Sequence, residues 1–432
     1  MTIIQRPLLA SALQAGLFVF LGLGGRTAWS APATQEAFAL HSFERHHLSD
    51  VYFAEGVAVG DIDGDGVQDV TSGPLWFKGP GFELGGEIRP AVPQDRARYT
   101  DHFFSWVYDV NADGHADVLA VGFPGTPGHV YVNPGPDHLD QHWKKHAILN
   151  SVANESPQFI QLVGDGTPEL VCTNGGAFGY ATINPKTPLE AWTFHPISDV
   201  VAPKQFGHGL GVGDVDGDGR QDVLSKSGWY AQPADLTGDP KWAFHPVNFA
   251  QPGGAEIYAY DVDGDGDSDV ITSLSAHEFG LAWHEQIQED GEIRFTKHLI
   301  MGAKAEENPY GLHFSELHSV ALADMDGDGL KDIVTGKTYY SHHEQSTDWD
   351  AGAVVYWFGL QRTAAGGVSW VPHLADGDAG IGRQIVVSDI NADGKPDIAV
   401  GGMKGCSVLL HETVATDAAG WRAAQPRRRK TD

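Results

Sequence analysis

Asp61-Ile62-Asp63-Gly64-Asp65-Gly66-Val67-Gln68-Asp69-Val70 is the stretch whose reading decides the fold. Carboxylates stand at positions 1, 3, 5 and 9, and a glycine stands at position 6. The same arrangement returns as Asp109, Asn111, Asp113 and Asp117, and as Asp214, Asp216, Asp218 and Asp222. It returns again as Asp261, Asp263, Asp265 and Asp269, as Asp324, Asp326, Asp328 and Asp332, and as Asp389, Asn391, Asp393 and Asp397. A seventh copy, Gln161-Leu162-Val163-Gly164-Asp165-Gly166-Thr167-Pro168-Glu169, is eroded and has no carboxylate at position 1 and no polar oxygen at position 3. The first positions, 61, 109, 161, 214, 261, 324 and 389, are separated by 48, 52, 53, 47, 63 and 65 residues. A unit of this length repeated along a chain is the signature of a repeat architecture.

Oxygens at four closely spaced positions of a tight loop converge on a hard cation that takes 6–8 oxygen ligands, so the six intact copies are expected to bind Ca²⁺. Without a cation, so many neighbouring carboxylates repel one another. Glycine at position 6 allows the sharp turn. An EF-hand needs glutamate at position 12 and helices on both sides. Here the flanks are Gly56-Val57-Ala58-Val59-Gly60 and Val70-Thr71-Ser72-Gly73, which read as strands. The eroded third copy is expected to hold no ion.

A second motif runs in phase with the first. Phe43-x-x-His46, Trp143-x-x-His146, Trp192-x-x-His195, Trp242-x-x-His245, Phe295-x-x-His298 and Trp370-x-x-His373 each precede an acidic loop. Each reads as one strand, and its histidine as structural. Two further strand-like runs lie between loop and motif, so each unit holds about four strands, which is a propeller blade. Seven loops predict an all-β, seven-bladed β-propeller over residues 31–415. The motif at Phe43 precedes the first loop, and only two strands follow the last. The N-terminal strand is therefore expected to complete the last blade, which removes an open sheet edge.

The chain has 432 residues and a formal charge of −29, which argues against nucleic acid as a partner. Its 54 glycines and 24 prolines favour turns over long helices. Two cysteines, Cys172 and Cys406, fall in different repeats and supply no disulfide framework. Residues 1–30 read as a secretory signal: Arg6, then an apolar run over 8–23 broken by Ser11 and Gln14, then Ala28-Trp29-Ser30 as a cleavage site. The mature protein is expected to be secreted or periplasmic, without a membrane span. Residues 416–432, with Arg427-Arg428-Arg429-Lys430, read as a frayed basic tail.

The Asp-x-Asp-x-Asp-Gly-x-x-Asp loops between short strands resemble the FG-GAP or VCBS repeats of calcium-binding β-propellers. Phe206-Gly207-His208-Gly209 before Asp214, and His313-Phe314-Ser315-Glu316-Leu317-His318 before Asp324 with Thr335-Gly336-Lys337, are similar to the propeller domain of aldos-2-ulose dehydratases. The resemblance implies chemistry on keto-sugars with metal ions. In the family the acidic loop joins the innermost strand to the second one, so residues six positions before each loop mark the opposite mouth of the central channel. Those residues are Glu55, Phe103, Glu155, His208, Ala255, His318 and Arg383, with Glu256 and Gln384 one step later. By strand parity, the long stretches 302–317 and 337–352 emerge on the same side and bring Tyr310, His313, Glu316, Lys337, Tyr339, Tyr340, His342 and His343.

Histidine with carboxylate suits Zn²⁺ or another divalent metal, and it equally suits acid–base chemistry near neutral pH. The expected activity is that of a carbohydrate lyase or dehydratase. His208 or His318 is the base, Arg383 or a metal held by His and Glu steadies the developing oxyanion, and Tyr339 or Tyr340 protonates the leaving oxygen. Glu55, Glu155, Glu256, Tyr310, His313, Lys337, Tyr340, His342, His343 and Gln384 then hold the sugar. The competing expectation is a non-catalytic propeller that binds glycan or protein through the same face, with Trp76, Tyr310 and Tyr339 as stacking platforms.

Overall fold

The computed structural model describes residues 38–340, 344–363 and 366–429. The residues read as a signal lie outside this range, as do His342 and His343.

Each acidic loop closes one short strand and opens the next. In one unit, Leu210–Gly213 leads into the loop at Asp214, followed by Asp222–Ser225, Gly228–Ala231 and Ala243–Pro246, all antiparallel. The second strands carry continuous apolar runs: Val223 and Leu224 are both fully buried, as are Val118 and Leu119. A strand buried on both faces belongs to a sheet sandwiched between two others. The apolar clusters accordingly lie between neighbouring sheets. Leu162, Val171 and Tyr180 pack against Leu210, Val223 and Trp242, and Val57, Val70 and Phe77 pack against Ile390, Ala399 and Val408. First strands of successive sheets adjoin one another, and Ala58–Gly60 of the first sheet adjoins Ile385–Ser388 of the last. The fold is an all-β propeller closed into a ring.

The expectation of seven separate blades is modified. Among the described residues the strands form five four-stranded sheets and one of eight strands. In the larger sheet two antiparallel runs of four are joined through their innermost strands, with Leu210, Gly211 and Val212 paired in parallel to Glu256, Ile257 and Tyr258. Glycine makes this approach possible. A Cβ on Gly211 would stand 1.7 Å from the Ile257 carbonyl oxygen, and one on Gly213 would stand 2.5 Å from the Ala259 Cβ.

The chain ends meet as the repeat phase requires. Phe38–Ser49 pairs antiparallel with Gly405–Thr416, in register from Phe38 opposite Thr416 to His47 opposite Ser407, after which a one-residue shift brings Ser49 opposite Cys406. Four of the aromatic-x-x-His histidines stack on rings of the preceding strand: His245 on Trp229 and His373 on Trp357 at 4.1 Å, His298 on Trp283 at 4.5 Å and His195 on Tyr180 at 4.9 Å. The tail departs from expectation. Asp417 caps a helix at Ala418–Ala424, Trp421 packs on Phe38, and the Arg429 N–H donates to the Pro309 carbonyl. Once Phe38 is fixed in the last sheet, it offers Trp421 an apolar surface that sequence alone does not show. Among the described residues no helix is long and apolar enough to cross a membrane.

Candidate functional site

The acidic loops are built around a carboxylate clamp. The position-9 side chain is buried, and its two oxygens accept two backbone N–H groups. Asp69 takes those of Ile62 and Gly79, Asp222 those of Val215 and Gln232, and Asp332 those of Met325 and Leu360. Asp117, Asp269 and Asp397 repeat the arrangement. One bond fixes the start of the loop and the other fixes the third strand. The position-2 residue whose N–H is held is apolar and buried in all seven loops: Ile62, Val110, Leu162, Val215, Val262, Met325 and Ile390. Burial pushes the clamping carboxyls up, to about 6 at Asp69, about 7 at Asp222 and about 8 at Asp332.

Position 1 accepts N–H groups from the middle of its own loop, as Asp214 does from Gly217, Asp218 and Gly219. Position 4 shares the left-handed conformation with position 6: Gly64 and Gly66 have φ of 77° and 87°, and Ala112 and Ala392 take position 4 at 58° and 60°. The eroded copy has the same shape, with Gly164 and Gly166 at 77° and 95° and Glu169 as its clamp. Backbone hydrogen bonds therefore suffice to define the loop. The remaining carboxylates gather: ligand-type oxygens of Asp61, Asp63 and Asp69 lie within 4.8 Å of one another, as do those of Asp214, Asp216 and Asp218 and of Asp261, Asp263 and Asp265. Lys78 answers part of that charge, bonding Asp63 and lying 2.8 Å from Asp65.

At the opposite mouth, the residues preceding five innermost strands converge. His208 Nε2 lies 3.8 Å from Glu155 Oε1, and Arg383 Nε lies 3.5 Å from Glu155 Oε2. The Arg383 N–H donates to the Glu55 carbonyl, and the Glu55 carboxylate accepts from the Tyr52 hydroxyl. Two residues outside the expected binding set complete the group. His277 Nε2 is 3.0 Å from His208 Nε2, and its Nδ1 is 3.0 Å from His318 Nε2. Glu316 Oε2 is 3.1 Å from His318 Nε2 and 3.8 Å from His277 Nδ1. Burial drives His318 well below the usual imidazole range, and the nearby Arg383 acts in the same direction. Burial works against the Arg383 charge, yet Glu55, Glu155 and Glu316 hold its guanidinium above its ordinary value.

His277 was legible in principle. It sits between the second strand Asp269–Ser273 and the third strand Leu281–Glu289. The parity that put residues 337–352 at this mouth applies there too.

Other expected residues serve elsewhere. Glu256 accepts from the Val320 N–H at 2.7 Å and the Ser319 hydroxyl at 3.4 Å, and burial pushes its carboxyl up to about 8. Gln384 pairs with both backbone groups of Ser105. Both therefore stitch inner strands together instead of presenting polar atoms to a ligand. Tyr310 lies in a lateral cleft with Asp263 and Trp283, under the Arg428 guanidinium. His313 and Lys337 line a cavity of about 240 Å³ with Ser315 and Asp348, and Lys337 Nζ donates to Ser315 Oγ at 2.9 Å. The Tyr339 ring lies 5.1 Å from Lys404 Nζ, and the Tyr340 hydroxyl bonds Glu344. Trp76 is buried, with Gly85 and Gly86 close against its indole, so it offers no stacking platform. Cys172 and Cys406 are both buried and free.

A cavity of about 470 Å³ adjoins the cluster. Asn154, Gly207 and His208 line one part of it, and Phe178, Tyr230, Trp242 and Phe244 supply aromatic walls. Lys226 and Lys241 contribute the cations.

No family model matches the chain. A segment of 116 residues is 27% identical to integrin alpha-7 of Homo sapiens, and one of 92 residues is 37% identical to integrin alpha-6 of Gallus gallus. These segments cover 27% and 21% of the chain, which spans only 9% and 8% of those relatives' lengths. With the ring of sheets, the similarity supports a β-propeller family. Among solved structures, the chain is similar to an Agrocybe aegerita lectin that recognises non-reducing terminal N-acetylglucosamine, at 15% identity, 85% coverage of both chains and a TM-score of 0.43. It is also similar to BBS1N from a complex with ARL6DN, at 11% identity over 87% of this chain and 96% of that one, TM-score 0.48. A third is rhamnogalacturonan lyase YesW, at 14% identity over 86% and 72%, TM-score 0.40.

Proposed function

We propose that this chain is an exported, calcium-stabilised propeller of seven blades, two of them fused at their inner strands, that catalyses an elimination on a keto-sugar or uronate. The observation that carries the reading is that His208 belongs both to the charged cluster and to the wall of the 470 Å³ cavity. The aromatic walls suit the apolar faces of a sugar ring. Lys226 and Lys241 suit its carboxylate or carbonyl oxygens. In the proposed reaction His208 takes the proton from the carbon beside the carbonyl or carboxylate, and the electron pair moves onto the carbonyl oxygen. As the carbonyl reforms, the β carbon–oxygen bond breaks, and the leaving oxygen departs with a proton taken from solvent. Arg383, buried against Glu155, is assigned the role of positioning Glu155 behind His208. Tyr339 is assigned no step.

The six intact acidic loops fit Ca²⁺, because each carboxylate oxygen that accepts a backbone N–H keeps a second lone pair for an ion. Bound Ca²⁺ supplies charge compensation there, away from the reacting end.

The test is turnover of a panel of uronides and keto-sugars, read by absorbance of the unsaturated product. His208→Ala is expected to lower the rate by about 10²–10⁴ while the calcium-dependent melting is retained. His195→Ala, which removes a histidine that stacks on Tyr180, leaves the rate of the folded fraction unchanged. The proposal fails if no sugar of the panel is turned over, or if both variants behave alike. Val200 and Val201, 68% and 64% exposed near the same cavity, favour glycan or protein binding as the second reading. Binding without turnover would establish that alternative.

A further inference from the structure

We infer that Lys337 is a reactive amine that captures a small hydroxyaldehyde or hydroxyketone as a covalent imine, in a cavity separate from the one that His208 lines. Lys337 ends the second strand of its sheet, Asp332–Lys337, and its side chain is among the largest that are fully buried. Lysine is almost never buried to this degree without a paired charge. Arg383 is buried to the same extent, and Glu55, Glu155 and Glu316 answer its guanidinium. Lys337 differs. Among the described residues it forms no ion pair, and its Nζ makes one hydrogen bond, to Ser315 Oγ at 2.9 Å.

That hydrogen bond has a fixed direction. The Ser315 hydroxyl donates to the Thr347 carbonyl at 2.8 Å, so toward Lys337 it can only accept. An ammonium group would bring three donors to this one acceptor. A neutral amine uses one N–H there and keeps its lone pair. Burial accordingly pushes the Lys337 amine below its usual range, and the charges of Glu316, Asp348 and Asp350 pull the other way without reversing it. A desolvated lysine with a free lone pair is a nucleophile toward carbonyl carbon. Lys337 lines the cavity of about 240 Å³, which is below the usual size of a drug-sized pocket and suits a small molecule. Phe314 and Tyr356, stacked with centroids 5.8 Å apart, give this cavity an apolar side. His313 and Asp348, both exposed, supply hydrogen-bonding groups for hydroxyls at its open end. In the capture the amine lone pair forms a bond to the carbonyl carbon, and the carbonyl electrons move onto oxygen. That oxygen leaves as water with one proton from the amine and one from solvent, and a protonated imine remains.

The inference does not rest on the elimination proposed above. The full chain, saturated with Ca²⁺ at neutral pH, is incubated briefly with glycolaldehyde or dihydroxyacetone and with cyanoborohydride, which reduces an imine to a stable secondary amine. Mass spectrometry of its peptides then locates the adduct. One adduct per chain is expected at Lys337, before the exposed Lys144 and Lys204 are labelled. Lys337→Met loses that adduct. Lys337→Arg also loses it while keeping a donor for Ser315, so it serves where the Met variant fails to fold. The inference is overturned if Lys337 is labelled no faster than Lys144 and Lys204, or if the Lys337→Arg chain carries as much label as wild type. An adduct on a chain that turns over no sugar would sink the elimination and leave this site standing. Turnover by a chain that forms no adduct at Lys337 would do the reverse.

Discussion

Asp222→Ala and Asp218→Ala alter the same loop, yet they are expected to act through different physics. Asp222 is fully buried, and its oxygens accept the Val215 and Gln232 N–H groups, each at 2.9 Å. Truncation strands two N–H groups on residues with 0% and 6% exposure, where water has little access. Each stranded group costs about 1–3 kcal/mol, so the variant loses about 2–6 kcal/mol whether or not calcium is present. Asp218 is at position 5, partly exposed, and its carboxylate bonds only Arg220, the backbone N–H at Oδ1 and the guanidinium at Oδ2, an exposed pair worth little. Its truncation costs little in a chelator and shows its main effect with Ca²⁺ present, because it removes a proposed ligand. Asp165→Ala in the eroded loop supplies the baseline and costs little in either condition. The assay is thermal unfolding of all three variants and wild type, in excess EGTA and in excess Ca²⁺. Two results would refute the reasoning: an Asp222→Ala chain as stable as wild type in EGTA, or an Asp218→Ala deficit of equal size in both buffers.

Deleting residues 38–49 uncovers the edge of Gly405–Thr416, so the truncated chain is expected to self-associate in light scattering; a monomer with unchanged melting would contradict the closure. Burial holds His102 down to about 3 and His284, His373 and His411 to about 4, against about 6.5 when unfolded. Their share of stability is therefore complete above pH 6.5 and is lost as pH falls toward 4. His102→Gln should show a shallower acid loss than wild type in melting curves run from pH 7 to 4. His245→Ala removes a ring stacked 4.1 Å from Trp229 and is expected to cost about 0.5–1.5 kcal/mol in denaturant unfolding, with metal content unchanged.

The acidic motif by itself determined the period and the strand–loop–strand unit, and the family resemblance placed the end of the channel from which His208, His318 and Arg383 approach. The phase of the aromatic-x-x-His motif determined that the first strand completes the last sheet. Such features are local, since spacing and side-chain type act within a few residues, and a repeat writes them several times over. Only the tertiary structure decided what each polar group meets. Position 9 read as an ion ligand, and its oxygens also accept N–H groups at the loop start and on the third strand, a partner that register alone supplies. Glu256 and Gln384 sat at the right distance before their loops, yet neighbouring inner strands claim their polar atoms, in the case of Gln384 from Ser105, 279 residues away. His277 and Glu316 meet His318 because a turn of one repeat unit leans over the entrance of the next. Gly211 lets two inner strands pair directly, so the ring shows one sheet of eight strands where the motif counted two of four. These outcomes depend on contacts between units, and the repeat pattern encodes each unit without stating what its neighbour presents.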